Sequence, residues 1–201
     1  MIAIIDYGMG NLRSVAKAFE RLGCETVTTR DPKTILNAGH VVLPGVGAFP
    51  DCMRNLERLE LIGPIRRALA SGRPFLGICL GLQLLFAEGE EFGVHPGLGW
   101  FPGRVVRFPD GAMKVPHMGW NTLELRRPAA PLKDVPEQAM VYFVHSYYAV
   151  PEDPAIVATT TEYGVTFASS VAKDNVFACQ FHPEKSQSVG LALLRNFAGI
   201  R

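Results

Sequence analysis

Cys79 stands in the segment GICLGLQLLF (residues 77–86), between an apolar run and a stretch with helical periodicity. A cysteine at a strand-to-helix turn can act as a nucleophile, because the helix N-terminus favours its thiolate and the N–H of Leu80 faces an oxyanion. Gly77 and Gly81 complete a G-x-C-x-G pattern, and such small residues let strand and helix approach closely at a nucleophile elbow. The alternative is a structural cysteine in a strand, since free cysteine is often buried. The motif alone is compatible with both.

His182 and Glu184 lie on either side of a proline in the segment CQFHPEKS (residues 179–186). The residue before a proline is extended, and side chains two positions apart in an extended chain point to the same side. The carboxylate can therefore orient the imidazole and stabilise its protonated form. A surface loop with an incidental histidine is the alternative. The strand-like run NVFACQF precedes His182 and Glu184, so we predict that their side chains meet Cys79 beyond the carboxyl ends of the strands. A cysteine beside an oriented histidine is the arrangement of covalent acyl transfer.

The segment HVVLPGVGAF (residues 40–49) predicts a strand that runs into a glycine-rich loop at 44–47. Glycine permits either sign of φ, so a peptide of this loop can turn its N–H toward a carbonyl oxygen. An ordinary β–α turn is the alternative, and G-x-G alone is weak evidence for phosphate binding.

Composition and charge restrict the classes of function. The chain has 201 residues, of which 48% are hydrophobic and 19% charged, which predicts one folded domain over residues 1–201. A formal net charge of +1 without a run of one sign gives no indication of a nucleic acid or membrane partner. The start, MIAIIDYGMG, lacks the basic region of a signal peptide, and no apolar stretch is long enough to cross a bilayer. We therefore expect a cytoplasmic protein.

The four cysteines are scattered along the chain without a C-x-x-C pair. Neither a disulfide framework nor a zinc site fits this pattern in a cytoplasmic protein, and we expect no metal or cofactor. We interpret Cys24, Cys52 and Cys179 as structural, because free cysteine behaves as a small apolar side chain.

Strand-like and helix-like stretches alternate over residues 1–90, which predicts a parallel sheet with helices on both faces. The strands are MIAII, VVLP and PFLGIC, and the helices include NLRSVAKAFERLG, ending at Gly23, and LGLQLLFAE. From about residue 96, the runs GRVVRF, MVYFVHSYYAV, AIVATTT and NVFACQF predict an antiparallel or mixed extension of the same sheet, before a closing helix at SVGLALLRNFAGI. The predicted fold class is α/β, an open mixed and largely parallel sheet with a β-rich second half.

The segments LPGVGAF, GICLGLQ and FHPE together make the chain resemble the class I, triad-type glutamine amidotransferases, which have a flavodoxin-like fold. With IDYGMGNL, VPHMGWN, FVHSYY and FHPEKS added, it is similar more specifically to the family of glutaminase subunits of imidazole glycerol phosphate synthase, which serve histidine biosynthesis. No single segment decides this, but their order and joint presence along nearly the whole chain are specific. No triad position departs from the family pattern.

The resemblance implies that Cys79 attacks the side-chain amide of glutamine, that His182 transfers protons and that Glu184 orients His182. Ammonia leaves, and water hydrolyses the glutamyl thioester to glutamate. The oxyanion hole and the substrate contacts follow from the same match, at Val46, Gly47 and Leu80 and at Gln83, His145, Ser146 and Tyr147. For Tyr147 and Tyr148, the alternative is a half-buried pair in a strand.

The resemblance also implies a partner, a (β/α)8-barrel cyclase subunit that receives the ammonia within a heterodimer combining hydrolase and lyase activities. The residues that would face it are Asn11, His117, Met118, Trp120, Tyr142 and Lys185. The alternative is that Trp120 and Tyr142 belong to the core and that Lys185 is a solvated surface charge. Three other functions stay open: a cysteine hydrolase of γ-glutamyl amides, a glutaminase of another pathway, and an inactive interaction module. PHMGWN with LPGVGAF argues against the second, and the intact triad argues against the third.

Overall fold

The computed structural model describes residues 1–111 and 113–200. Its strands are β1 (Ile2–Ile5), β2 (Thr26–Thr29), β3 (His40–Gly45), β4 (Phe75–Cys79), β5 (Phe86–Gly89), β6 (His95–Pro96), β7 (Phe101–Arg107), β8 (His117–Thr122), β9 (Glu124–Leu125), β10 (Met140–His145), β11 (Tyr147–Pro151), β12 (Val157–Glu162), β13 (Thr166–Lys173) and β14 (Val176–Cys179). Its helices are α1 (Leu12–Arg21), α2 (Pro32–Asn37), α3 (Phe49–Arg58), α4 (Ile62–Ala70), α5 (Leu80–Gln83) and α6 (Gln187–Ala198). A short 3-10 turn covers Pro183–Lys185.

The central sheet has eight strands in the order β2-β1-β3-β4-β14-β13-β12-β9. The neighbours from β2 to β14 run parallel, and the pairs from β14 to β9 are antiparallel. This confirms the predicted mixed, largely parallel sheet. The carboxyl ends of β3, β4 and β14 lie side by side, which is where open parallel sheets carry their functional groups.

The β-rich second half differs from the prediction in one respect. Among the described strands of this half, β9, β12, β13 and β14 extend the central sheet, whereas the runs GRVVRF and MVYFVHSYYAV belong to two smaller sheets. β10 pairs with β8, and β11 joins β7, β5 and β6. The prediction of one extended sheet was wrong because both faces of the central sheet need apolar cover, and these strands supply part of it.

Each face of the central sheet carries its own apolar core. Along β1, Ala3 and Ile5 belong to one core and Ile2 and Ile4 to the other, as alternation in a strand requires. Helices α2, α3 and α4 cover the first face together with the four-stranded sheet, and α1 and α6 cover the second together with β8 and β10. Within the described ranges, no helix is long and apolar enough to span a membrane.

The predicted helix LGLQLLFAE is much shorter than expected. Only Leu80–Gln83 is helical, and β5 begins three residues later, at Phe86. The segment around 97–101 takes the carbonyls that a continuing helix would use: Leu98 N–H donates to Leu84 O at 2.8 Å and Trp100 N–H to Leu85 O at 2.9 Å. Long-range hydrogen bonds therefore override the local helical pattern at this position.

Candidate active site

Cys79 occupies a strained turn between β4 and α5. Its backbone has φ +56° and ψ −111°, a left-handed conformation that is unfavourable for a residue with a side chain. Such strain costs about 1–3 kcal/mol and persists only where the surrounding structure fixes it. The side chain is nearly buried, with 6% of the residue exposed. The turn has the geometry expected of a nucleophile elbow.

The glycines on either side of Cys79 are required by close packing. A Cβ on Gly81 would lie 1.9 Å from the carbonyl oxygen of Leu43, inside any allowed contact. A Cβ on Gly77 would lie 2.9 Å from the carbonyl oxygen of Gly81 and 3.0 Å from the Cβ of Ala178. The close approach of strand and helix predicted from G-x-C-x-G is therefore present.

His182 and Glu184 form a buried pair just beyond β14. The extended backbone of His182, φ −97° and ψ 97°, precedes Pro183, and its Nδ1 lies 2.8 Å from Oε1 of Glu184. The two side chains are 2% and 1% exposed. A carboxylate can only accept here, so Nδ1 carries the proton and Nε2 is left to exchange protons with another group. Among the described residues Nε2 has no hydrogen-bond partner.

Charge around His182 favours its protonated form. Burial alone disfavours the imidazolium, but the thiolate of Cys79 and the carboxylate of Glu184 outweigh it and raise the pKa of His182 to about 10. A protonated His182 beside a thiolate is the charge state of an activated Cys–His pair. The arrangement can supply a nucleophile and a general acid at the same time.

A cleft of about 260 Å³ opens beside this pair. It is lined by Val46, Gly47, Cys79, Leu80, Gln83, Glu91, Pro116, Val144, His145, Ser146, Tyr147 and His182. Every residue for which we predicted an oxyanion or substrate contact therefore reaches one cleft, together with the cysteine and the histidine. Glu184 stands behind His182 and orients it from outside the cleft wall.

The glycine-rich loop lines the same cleft as the nucleophile through Val46 and Gly47. Tyr7 Oη donates to the carbonyl oxygen of Pro44 at 2.9 Å, and the thiol of Cys52 lies 3.6 Å from the carbonyl oxygen of Val46. A trans peptide places its N–H opposite its carbonyl, so the N–H of Gly47 points away from Cys52. Gly47 itself has φ +97°, which favours glycine at this position.

Gln83 supports the cleft wall through two hydrogen bonds. Its Nε2 donates to the carbonyl oxygen of Tyr147 at 2.9 Å and to Oε1 of Gln180 at 3.0 Å. Gln180 is fully buried, and its Nε2 lies 3.7 Å from Sγ of Cys79. Sequence reasoning missed Gln180, although it stands two positions before His182 in an extended run, where the same-side rule could have found it.

Glu91 is a second cleft residue that sequence reasoning missed. Its Oε2 accepts from the backbone N–H of Phe49 at 2.7 Å, at the start of α3. A carboxylate in the cleft lining can accept hydrogen bonds from the ammonium group of an amino acid. No motif marks this glutamate in the sequence, because only the tertiary fold brings the turn after β5 to α3.

His145 and His117 form a buried imidazole pair. His145 Nδ1 lies 2.8 Å from the carbonyl oxygen of Tyr147, and its Nε2 lies 3.0 Å from Nδ1 of His117. Burial lowers the pKa of His145 to about 3 and that of His117 to about 4. Our placement of His117 at the partner interface was wrong: it is 2% exposed, because residues alternate between the two faces of β8.

The outer face of β8 and β10 is an exposed apolar surface, which we call the β8–β10 patch: Met118, Trp120, Met140 and Tyr142. Met118 is 62% and Trp120 44% exposed. Trp120 pairs with Tyr142, their rings 6.0 Å apart, and Lys185 Nζ lies 5.9 Å from the Tyr142 ring. Asn11, the remaining interface residue of our prediction, caps α1 by accepting from Ser14 N–H at 3.4 Å.

No metal site is evident: in residues 1–111 and 113–200, no three His, Cys, Asp or Glu side chains are grouped to hold an ion. All four cysteines are free, and Cys52 and Cys179 are buried as predicted.

Comparison with known proteins identifies relatives along the whole chain. The family model described as glutamine amidotransferase class-I matches residues 3–199. The imidazole glycerol phosphate synthase subunit HisH of Geobacter metallireducens is 58% identical, over 98% of this chain and 97% of that protein. The subunit of the same name from Aquifex aeolicus is 55% identical, over 96% of this chain and 94% of that protein.

Solved structures with the same fold are more distant in sequence. A structure described as glutamine amidotransferase superposes with a TM-score of 0.77, at 20% identity, over 100% of both chains. PurLQS from Thermotoga maritima gives 0.75 at 19% identity, over 98% of this chain and 96% of that chain. These two likenesses concern the fold.

Proposed function

This chain belongs to the class-I glutamine amidotransferase family, and we propose that it is the glutaminase subunit of an imidazole glycerol phosphate synthase. The observation that carries this function is the meeting of Cys79 and His182 in one cleft, with the elbow cysteine strained and the histidine oriented from behind by the buried carboxylate of Glu184. Relatives that bear the synthase name and match nearly the whole chain support the choice of pathway.

The reaction begins with the Cys79 thiolate attacking the side-chain amide carbon of glutamine. The carbonyl electron pair moves to oxygen and returns when the C–N bond breaks, as His182 Nε2 gives its proton to the leaving nitrogen. Ammonia and a glutamyl thioester result. Neutral His182 then takes a proton from water, whose oxygen attacks the thioester, and breakage of the C–S bond restores the thiolate and leaves glutamate. Glu184 keeps Nδ1–H in place throughout.

The rest of the cleft binds the substrate and the developing charge. The backbone N–H groups of Leu80, Val46 and Gly47 are our candidates for the oxyanion hole, because these residues follow the nucleophile or lie on the loop beside it. Glu91 is placed to accept the α-ammonium group of glutamine. Gln83, His145, Ser146 and Tyr147 also line the cleft, and we infer that they hold the amino acid there.

The partner we propose is the (β/α)8-barrel cyclase subunit, in a heterodimer through which ammonia passes without release into water. The β8–β10 patch supports this docking face, since exposed apolar surface of this kind marks interaction sites. The patch is connected to the active site through Tyr142, whose carbonyl oxygen accepts a hydrogen bond from the backbone N–H of His182 at 2.9 Å. We treat residues 1–201 as a single amidotransferase domain, and the free cysteines support the cytoplasm as its compartment.

A glutaminase assay tests the proposal with three samples: the chain alone, the chain with a cyclase subunit, and the complex with the ligand of the cyclase. We expect glutamine hydrolysis that is highest in the third sample, and formation of imidazole glycerol phosphate from glutamine in the complex. Full activity of the chain alone, unchanged by the cyclase, would instead favour a stand-alone γ-glutamyl hydrolase. No hydrolysis in any sample would favour an inactive interaction module.

A further inference from the structure

A chain of hydrogen bonds connects β8 to the substrate cleft. Asn121 Nδ2 lies 3.2 Å from His117 Nε2, His117 Nδ1 lies 3.0 Å from His145 Nε2, and His145 Nδ1 lies 2.8 Å from the carbonyl oxygen of Tyr147. None of these contacts takes part in the reaction steps described above. The question is which atom donates at each junction.

The two ends of the chain determine its direction. At one end, Thr122 N–H donates to Asn121 Oδ1 at 2.8 Å and Asn121 Nδ2 donates to the carbonyl oxygen of Glu162 at 2.9 Å, so the amide nitrogen must face His117. At the other end the carbonyl of Tyr147 can only accept, so His145 Nδ1 carries a proton. His117 Nε2 therefore accepts, and His117 Nδ1 donates to His145 Nε2. Each ring holds a single proton on Nδ1.

Packing prevents the rings from turning. His117 is stacked between Phe143 and Tyr163, with ring centroids 4.7 and 4.0 Å apart, and Phe108 lies 5.2 Å from the ring of His145. Both histidines are at least nine-tenths buried, 2% and 6% exposed. The order of donors and acceptors is thus built into the core beneath β8.

The series of hydrogen bonds ends at the carbonyl oxygen of Tyr147, which accepts from a second donor as well. Tyr147 O accepts from His145 and, at 2.9 Å, from Gln83 Nε2. We propose that His117 and Asn121 are positioning residues that act through His145 to hold the Ser146–Tyr147 segment in its substrate-binding orientation. If the direction were reversed, a ring lone pair would face the carbonyl lone pairs and the segment would lose this support. The inference rests on the proposed function only in taking glutamine as the substrate.

Nitrogen NMR of the histidine rings tests the direction without any activity measurement. We expect the full-length 15N-labelled chain, at neutral pH, to show His117 and His145 as neutral rings protonated on Nδ1. The signals are assigned by their loss in His117→Asn and His145→Asn. A ring protonated on Nε2, or on both nitrogens, would overturn the inference, and it would do so whether or not the chain is a glutaminase.

Steady-state kinetics in the complex with the cyclase subunit test the positioning role. His117→Phe keeps a flat ring but removes the donor, so we expect KM for glutamine to rise about 10-fold, the effect of one lost buried hydrogen bond, with kcat near the wild-type value. His117→Asn puts an amide N–H at the place of Nδ1 and should recover most of this loss. Equal losses in both variants, or a fall in kcat at unchanged KM, would show a merely structural role and overturn the proposal.

Discussion

Gly45 and Cys79 are paired residues on the adjacent parallel strands β3 and β4. This pairing places the glycine-rich loop against the nucleophile with no space between them: a Cβ on Gly45 would lie 2.7 Å from Tyr7 Oη and 2.8 Å from Leu80 Cβ. The register of the central sheet therefore brings the thiol and the candidate oxyanion donors into one place.

Replacement of the nucleophile should separate the two half-reactions. Cys79→Ala should abolish glutamine hydrolysis, because no other group in the cleft can form the thioester. The complex should still make product from added ammonium salt, since the cyclase chemistry lies on the other subunit. Cys179→Ala is the matched control. This cysteine is fully buried in β14, and its replacement should leave turnover intact. If Cys79→Ala retained hydrolysis and Cys179→Ala lost it, our assignment of Cys79 as the nucleophile would be wrong.

The other two members of the triad should differ in their effect on kcat. His182→Asn removes the group that moves protons, which is typically worth about 10²–10⁴-fold, and we expect a loss near the upper end. Glu184→Gln still occupies the space behind Nδ1 but provides no charge, so its loss should be smaller. Circular dichroism checks that both variants fold. Equal losses, or a greater loss in the glutamate variant, would contradict these roles.

The parts of the site that follow strand ends were predictable from sequence, because local patterns determine them. The elbow at Cys79 and the His182–Glu184 pair depend on a turn, a proline and an apolar strand before each of them. Glu91 was not predictable, since its place depends on a contact between segments far apart in the chain. The same cause explains the short α5, where long-range hydrogen bonds compete with the helix. The burial of His117 depends on which face of β8 the core covers, and the alternation along the strand does not by itself decide that face.

The buried histidine pair should make folding stability depend on pH. Their pKa values of about 3 and 4 lie below the value of about 6.5 in an unfolded chain, so the unfolded state binds more protons between these limits. The free energy of unfolding should therefore fall as the pH drops below about 6.5, by about 1.4 kcal/mol per pH unit for each such histidine. Urea unfolding at several values between about pH 6 and pH 5 measures this slope, because His182, with its pKa of about 10, is protonated in both states there and adds no slope.

The His117→Asn variant isolates the contribution of one ring to that slope. It removes one of the two protons taken up on unfolding, so its stability should depend less steeply on pH than that of the wild type. His95→Asn, on the short strand β6, serves as the control. An unchanged slope in His117→Asn would mean that this ring is not held neutral by the fold.

Contacts of the β8–β10 patch should contribute most of the free energy of binding to the cyclase subunit. Trp120 is 44% exposed in the free chain, and large aromatic side chains at the centre of an interface are typical hot spots. We expect Trp120→Ala to weaken binding by at least about 10-fold in isothermal titration. Val150→Ala, also exposed but on β11, is the control and should bind normally. Equal affinities for the two variants would exclude this face as the docking site.

Finally, we expect the free chain to be a poor glutaminase that the cyclase subunit and its ligand activate. An active free chain would consume glutamine and lose the ammonia. We propose the 44–47 loop as the switch, because it lies beside Cys79 and a rotation of the Gly45–Val46 peptide would exchange a carbonyl for an N–H there. One missing oxyanion donor costs roughly 10²–10³-fold in rate.

Gly47→Ala tests this switch, because Gly47 has φ +97° and its added Cβ would lie 2.7 Å from Met9 Cε. We expect activation to be blunted while affinity for the cyclase stays unchanged. Gly63→Ala, in α4, is the matched control, since its Cβ meets no described atom within 4 Å. Glutaminase rates of the free chain, the complex and the ligand-bound complex give the activation ratio for each variant. Normal activation of Gly47→Ala would show that the loop is not the switch, and full activity of the wild-type free chain would show that none is needed.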